Sequence, residues 1–259
     1  MNIALIGAGR LATCLGKALK ESGHTILQVY SRTENSAQKL AEALECDYTN
    51  QCEDITTRAA LYVVAVKDDV LPELLPQVVC GREDALFVHT AGSVPLSVFE
   101  QSGAQRFGVF YPMQTFSLER ELSFSQIPIF VEANLESDVE LLKSLGSSLS
   151  QKVYVLPSEG RKRLHLAAVF ACNFVNHCYA RAEQILAEEN LPFDVMLSLV
   201  DETAAKVHEL SPCKAQTGPA VRQDHSVMNR HLDLLQEHEE MVREYKLLSD
   251  GIGKLARQS

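Results

Sequence analysis

Residues 3–12 read Ile-Ala-Leu-Ile-Gly-Ala-Gly-Arg-Leu-Ala, and their pattern decides the fold. Ile3 to Ile6 are apolar at every position over a run too short for a helix, the signature of a strand covered on both faces. Gly7-Ala8-Gly9-Arg10-Leu11-Ala12 comes next without a spacer. In this G-x-G-x-x-A pattern the first glycine permits a tight turn out of the strand and the second lets a pyrophosphate touch the backbone. The small third residue allows close packing of helix on strand. Glycines also serve ordinary turns, so the context matters. An amphipathic stretch (Leu11, Leu15, Ala18, Leu19) comes after the glycines, and then a second strand. A helix opening near Arg10 aims its unpaired N–H groups at phosphates. Gly7, Ala8, Gly9, Arg10 and Leu11 are therefore the predicted contacts of a dinucleotide.

Gly23 ends this helix and Thr25 to Tyr30 makes the second strand. Ser31-Arg32-Thr33 comes next, with no acid before Glu34. A site that holds free ribose hydroxyls places an Asp or Glu here, whereas a 2′-phosphate calls for Arg and hydroxyl donors. Ser31 and Arg32 thus point to NADP(H). Ser36 to Leu44 reads as a helix, Asp47 to Thr57 as a polar connection, and Leu61 to Val66 as a buried strand running into Lys67-Asp68-Asp69. Leu86 to His89 is the next strand and enters the small-residue loop Thr90-Ala91-Gly92-Ser93. Further strands are expected at 103–111, 127–133 and 152–156. Alternating strands and helices specify a doubly wound parallel sheet, a Rossmann α/β domain over residues 1–156. Ligands of such sheets bind beyond the carboxyl ends of the strands, which places Val66, Lys67 and Ala91 at the cofactor. At the same rim His89 is either a proton donor or a histidine that caps the loop, and Ser93 is a candidate for a hydrogen bond to substrate.

A chain of 259 residues with a formal net charge of −10 lacks the basic surface that nucleic-acid binding needs. Seven cysteines without a C-x-x-C pair suggest neither a disulfide framework nor a zinc site. The first strand begins at once, and no apolar run approaches the ~18 residues of a membrane span. A soluble cytoplasmic protein is expected.

From Ser158 the strand signal gives way to apolar periodicity at helical spacing, so residues 157–259 are expected to form an all-helical domain. Ser158 to Ala187 reads as one long helix with a wide apolar arc. His165, Cys172 and Asn176 lie within about 20° of one line on it, with Asn173 roughly 80° away. These polar groups either satisfy neighbouring backbone or face a cleft toward a nicotinamide. A further helix runs from Pro192–Asp194 to Leu210, with Asp194 as its N-cap. Ser211 to Pro219 is a loop, Asp224 caps the helical run beyond Arg222, and Glu237 to Leu255 is amphipathic. Asp224, His225 and His231 lack the spacing of a metal site, and none is expected. The apolar faces are too wide for one helical layer to cover, which predicts a homodimer built through this half.

The first half resembles the NADP-binding domain of pyrroline-5-carboxylate reductase, the 6-phosphogluconate and β-hydroxyacid dehydrogenases and the F420-dependent NADP oxidoreductases. The likeness rests on G-A-G-R-L-A (7–12), Ser31-Arg32, V-A-V-K-D (64–68) and H-T-A-G-S (89–93). Over nearly the whole chain it is most similar to NADP oxidoreductases of that superfamily with no assigned substrate, marked by Y-P-M-Q-T-F (111–116) and T-G-P-A-V-R-Q-D (217–224). The resemblance implies a helical half like the C-terminal domain of 6-phosphogluconate dehydrogenase, and pairing through it. Dehydrogenases of carbinols carry a Lys and, four residues later, an Asn on the first long helix of that half. The Lys position falls near Ala168 here, and Asn173 is the nearest candidate for the Asn. That departure turns the reading toward reduction of a small C=N or C=O substrate, since a protonated imine needs mainly positioning and a proton source. The expected site is His89, Ser93, His165, Asn173 and Arg222, with Arg222 taking a substrate carboxylate. The alternative is an NADP(H)-binding protein without catalysis, acting as a sensor or in an assembly.

Overall fold

The computed structural model describes residues 1–118, 120 and 122–258. The chain divides into two compact units, Met1–Cys172 and Asn173–Ser259.

The first unit is built on an eight-stranded sheet. Its strands are β1 (Asn2–Ile6), β2 (Thr25–Tyr30), β3 (Asp47–Thr49), β4 (Leu61–Val64), β5 (Leu86–His89), β6 (Arg106–Pro112), β7 (Ile129–Ala133) and β8 (Val153–Val155). They lie in the order β3-β2-β1-β4-β5-β6-β7-β8. Helices α1 (Arg10–Glu21), α2 (Glu34–Leu44), α3 (Leu71–Val79), α4 (Glu136–Leu149) and α5 (Ser158–Ala168) complete the unit. β1 shows why its sequence is apolar from Ile3 to Ile6. Ile3 and Leu5 pack with α1, α2 and α4 on one face, while Ala4 and Ile6 pack with Tyr62, Phe87 and α3 on the other. Alternate residues of a strand face opposite ways, so a doubly covered strand has no polar position to spare.

Three expectations are corrected in this unit. The sheet is not wholly parallel, because β7 runs antiparallel to β6, pairing Tyr111 with Phe130, and parallel to β8. The period-two pattern of residues 129–133 is the same for either direction, so the sequence carries no sign of the reversal. The polar segment after α2 contains the edge strand β3, whose Asp47 and Tyr48 face solvent. The buried run at 61–66 leaves the sheet after Val64.

The division into units falls later than the 156/157 boundary read from the sequence. Strand signal does end there, but α5 is tied to the sheet. Arg161 of α5 donates to Glu132 of β7 at 2.5 Å and to the Val94 carbonyl at 2.5 Å.

Beyond α5 the expected single helix is interrupted. Val169–Phe174 forms a π-helical turn, and α6 (Val175–Glu188) comes after it. The second unit holds α6, α7 (Leu197–Glu209), the short α8 (Pro212–Ala215), α9 (His225–Leu234) and α10 (Glu239–Ala256). Asp194 does not cap a helix but lies inside a 3-10 turn, Phe193–Met196, that precedes α7. Asp224 does cap α9, accepting from the Val227 N–H at 3.1 Å.

Candidate functional site

Where β1 ends, two independent constraints require glycine at position 7. Its φ is +115°, a conformation L side chains rarely adopt, and an added Cβ would strike the Ala65 carbonyl of the neighbouring segment. Its N–H donates to the Tyr30 carbonyl at 2.7 Å, joining the turn to the end of β2. Gly9 differs. Its backbone is extended, with φ −80°, and nothing in the protein lies within 4 Å of where a Cβ would stand. Neither strain nor packing explains a glycine there, whereas a ligand pressed against the backbone does. No acidic side chain occupies the first turn of α1 and no side chain caps it, so its leading N–H groups face outward without a competing anion.

Beside this turn lies a cavity of about 450 Å³. Gly7, Ala8, Gly9, Arg10, Leu11, Ser31, Arg32, Val66 and Lys67 all line it, together with Tyr30, Thr33 and Ala65. Arg32 is exposed, and the first acid after β2, Glu34, opens α2. Tyr30 forms part of the wall. Its hydroxyl accepts from Cys52 Sγ at 3.2 Å, and burial pushes its pKa up to about 12, so it stays neutral. Ala91 is not on the cavity; it is buried, and its N–H donates to His89 Nδ1 at 3.2 Å.

A second cluster forms where β5 and β6 end, at the same rim as the cavity because β1, β4, β5 and β6 run parallel. His89 is sealed from solvent and stacked on Phe99 with ring centroids 5.7 Å apart. Burial, reinforced by the Arg161 charge, holds its pKa down at about 3. A ring that is neutral and enclosed is not placed to protonate a substrate at neutral pH, which favours the loop-capping reading of His89 over the proton donor. Ser93 is exposed and donates its hydroxyl hydrogen to Asp68 Oδ2. Its oxygen remains able to accept a further hydrogen bond.

His165 belongs to this cluster. Its Nδ1 lies 3.3 Å from the Tyr111 hydroxyl, and the two rings meet edge to face at 6.3 Å. Both rings rest on Gly92, where an added Cβ would stand 2.6 Å from His165 Nδ1 and 2.8 Å from Tyr111 Cζ. Asn173 and Arg222 lie in the second unit, and both are exposed. Arg222 makes no ion pair with any described residue. The line drawn through His165, Cys172 and Asn176 is broken by the π-helical turn, which changes the angle per residue.

Three residues of the cluster escaped the sequence reading. Tyr111 opens the Y-P-M-Q-T-F motif and Asp68 closes V-A-V-K-D, so both carried a local signal. Arg161 carried none, although it is fully buried and bridges Glu132, Ser158 and the Val94 carbonyl. Among the described residues no three His, Cys, Asp or Glu side chains are grouped to hold a metal ion. Among the described residues no helix is long and apolar enough to cross a membrane.

Fold and cradle together define a Rossmann-type dinucleotide-binding protein with a helical second part. Residues 1–112 match the Rossmann-like domain family, and residues 127–252 match a domain of unknown function, DUF2520. A crystal structure from Bacteroides fragilis, provisionally described as an NADP oxidoreductase, is 54% identical. The match covers 98% of each chain with a TM-score of 0.94. The chain belongs to the family of that NADP oxidoreductase. An imine reductase from Myxococcus stipitatus solved with NADP⁺ shares the fold at 18% identity and a TM-score of 0.70, over 100% of this chain and 93% of that one. A 1-pyrroline-5-carboxylate reductase from Streptococcus pyogenes shares it at 14% identity and 0.65, over 98% of each. No curated protein sequence matches the chain.

Proposed function

We propose that this protein is an NADP(H)-dependent reductase of a small C=N or C=O substrate that carries a carboxylate. The observation that supports it most is the cradle around Gly9, where a glycine that the protein itself does not require faces a cavity bordered by an exposed Arg32. The residues fit the cofactor. Gly7 to Leu11 would hold the pyrophosphate against the opening of α1, while Ser31 and Arg32 would take the 2′-phosphate. Bound there, NADPH supplies the hydride. The helical part carries no Lys at the position where the carbinol dehydrogenases have one, which favours imine or carbonyl reduction over carbinol oxidation. The neighbours that share the fold include an imine reductase and a pyrroline-carboxylate reductase.

Calorimetry with NADPH and NADH tests the cofactor assignment. A bidentate Arg–phosphate contact is worth roughly 1.5–3 kcal/mol, so Arg32→Ala should weaken NADPH about ten- to a hundredfold and leave NADH nearly unchanged. Equal affinity of the unmodified protein for both cofactors would refute it. Binding of NADPH without turnover of ketoacids, aldehydes or cyclic imines would leave the non-catalytic role standing.

We further assign a second copy of this chain to the apolar surface of the helical unit. Neither α6 nor α7 has a buried residue, yet they and the link between them present Ile185, Leu191, Val195, Leu199 and Val207, each about half exposed. An isologous interface would cover such a surface. Light scattering at micromolar concentration should give twice the 28.7 kDa chain mass; the monomer mass would refute the assignment.

A further inference from the structure

Resting on the reductase reading, we infer that His165 delivers the proton that completes the reduction, and that Tyr111 and Gly92 are the positioning residues that make it able to do so. His89 and His165, both in the first unit, stand in opposite conditions. His89 is wholly enclosed. His165 is half-buried, and its Nε2 is not among the buried, unpaired polar atoms, so this nitrogen stays open to solvent while Nδ1 is held by Tyr111.

The partner at Nδ1 decides what His165 can do. A phenolic hydroxyl both donates and accepts. Whether the imidazole is charged or has given up its Nε2 proton, Nδ1 keeps its hydrogen and donates to the Tyr111 oxygen. One acceptor therefore holds the inner nitrogen before and after a proton leaves the outer one, and the ring need not turn between the two states. An amide N–H in that place would suit neither of them. Burial raises the Tyr111 pKa, with Arg161 opposing and Asp68 and Cys172 adding to the rise, which keeps the phenol neutral beside the imidazole.

Gly92 fixes the distance. It sits in the loop leaving β5, and the backbone there presses against both rings more closely than any side chain would allow. The same loop carries Ser93, bonded to Asp68 just beyond Lys67, and Lys67 lines the cofactor cavity. Tyr111 is at the end of β6, the last of the parallel strands before the sheet reverses. Every part of the arrangement belongs to the first unit.

With a neutral imine, carbon gains hydrogen and two electrons from the dihydronicotinamide, which is oxidised to the pyridinium. The C=N π pair moves onto nitrogen and forms a bond to the His165 Nε2 proton. The imidazole is left neutral, and water returns a proton to Nε2. A substrate whose nitrogen already carries a permanent positive charge needs no proton at all.

That difference supplies the test. The full-length enzyme is loaded with NADPH, binding is confirmed by fluorescence titration, and two probes are compared: 1-pyrroline-2-carboxylate and its N-methylated iminium. General acid catalysis contributes at least about a hundredfold. His165→Gln should therefore slow the imine by about that factor and leave the iminium within about twofold. Tyr111→Phe should slow the imine roughly tenfold and spare the iminium, with melting temperature and NADPH affinity unchanged in both variants. Equal slowing of the two probes would reduce the pair to a structural role and overturn the inference. A larger selective loss in Tyr111→Phe than in His165→Gln would make the phenol the donor and overturn it as well. Should Tyr111→Phe not fold, His165→Gln alone carries the comparison. If the unmodified enzyme binds NADPH and reduces neither probe, the reductase reading itself fails, and the proton donor with it.

Discussion

In the first unit Ile3, Leu5, Ile6, Leu61 and Phe87 are closed to solvent by helices on both sides of the sheet, whereas α6 and α7 of the second unit contain no buried residue at all. Charge obeys the same division. The first unit buries Arg161 completely against Glu132, and Asp138 against Arg106. The second keeps its Arg181–Glu244–Glu240 and Glu188–His238 pairs at the surface. A sheet covered on two faces is self-sufficient, and its polar groups have to be paired inside it. A helical layer with open apolar sides depends on something outside itself, and its charges remain hydrated.

Removing one cation from each unit puts this contrast to its hardest trial. Arg161→Met leaves Glu132, only 16% exposed at its side chain, without its partner. Breaking a buried pair in this way costs about 3–5 kcal/mol, a fall of roughly 10 °C in Tm for a domain of this size. Arg181→Met removes two ion pairs instead of one, but their carboxylates are 79% and 34% exposed, and pairs that water reaches in this way contribute little. Its Tm should hardly move. Equal losses by calorimetry would erase the distinction between the units.

A second trial uses acid. The folded-state pKa of His89, about 3, lies below the ~6.5 of an unfolded histidine. Above pH 6.5 the ring is neutral in both states and costs nothing. As pH falls below 6.5 the unfolded chain takes up a proton that the folded one refuses, and stability drops by about 1.4 kcal/mol per pH unit until the folded pKa is reached. At pH 5 the loss is roughly 2 kcal/mol. Glu244, held at about 2 by Arg181 and His177, acts lower: its contribution is intact above an unfolded carboxylate's ~4.3 and fades as pH falls from there toward 2. The difference in urea stability between the unmodified protein and His89→Asn, whose Oδ1 can still accept the Ala91 N–H, should narrow from pH 8 to pH 5. Parallel pH profiles for the two proteins would exclude the enclosed histidine as the cause.

The cradle was legible because its chemistry is local. Gly7, Gly9 and Arg32 stand at fixed offsets from strand ends, and the structure places them on one cavity. The Tyr111–His165 pair was not legible, because its members are 54 positions apart and meet only through the packing of α5 against the sheet. His89 stayed open between two readings for a related reason: the sequence puts it at a strand end, but only the fold shows that Phe99 stacks on it and that it is closed to solvent. The π-helical turn at Val169–Phe174 was hidden because the apolar arc of Ser158 to Ala187 is wide enough to absorb the phase shift of one added residue. β3 was hidden by its exposure, an edge strand of three residues with Asp47 and Tyr48 in solvent.

Arg222 gives the finest trial of the contrast, because it is a charge of the second unit that no described residue pairs. The turn that carries it is held by its backbone. Gly218 has φ +109° and Gln223 φ +54°, and the Asp224 N–H donates to the Pro219 carbonyl at 2.9 Å. A non-glycine residue in the left-handed region costs about 1–2 kcal/mol, so the surrounding bonds must fix the turn firmly to keep Gln223 there. Asp224, which would otherwise be placed to neutralise Arg222, is occupied instead as the N-cap of α9. A guanidinium presented on a rigid turn without an internal partner suits an external anion, and its planar fork matches a carboxylate. Arg222→Met should therefore leave Tm unchanged, unlike Arg161→Met. It should raise KM roughly tenfold, about 1.4 kcal/mol, for 1-pyrroline-2-carboxylate and have no effect on KM for 1-pyrroline, which lacks the carboxylate. If KM rises equally for both compounds, Arg222 does not recognise the carboxylate. If Tm falls sharply, the residue has a structural role and the second unit holds its charges more tightly than its exposed surface indicates.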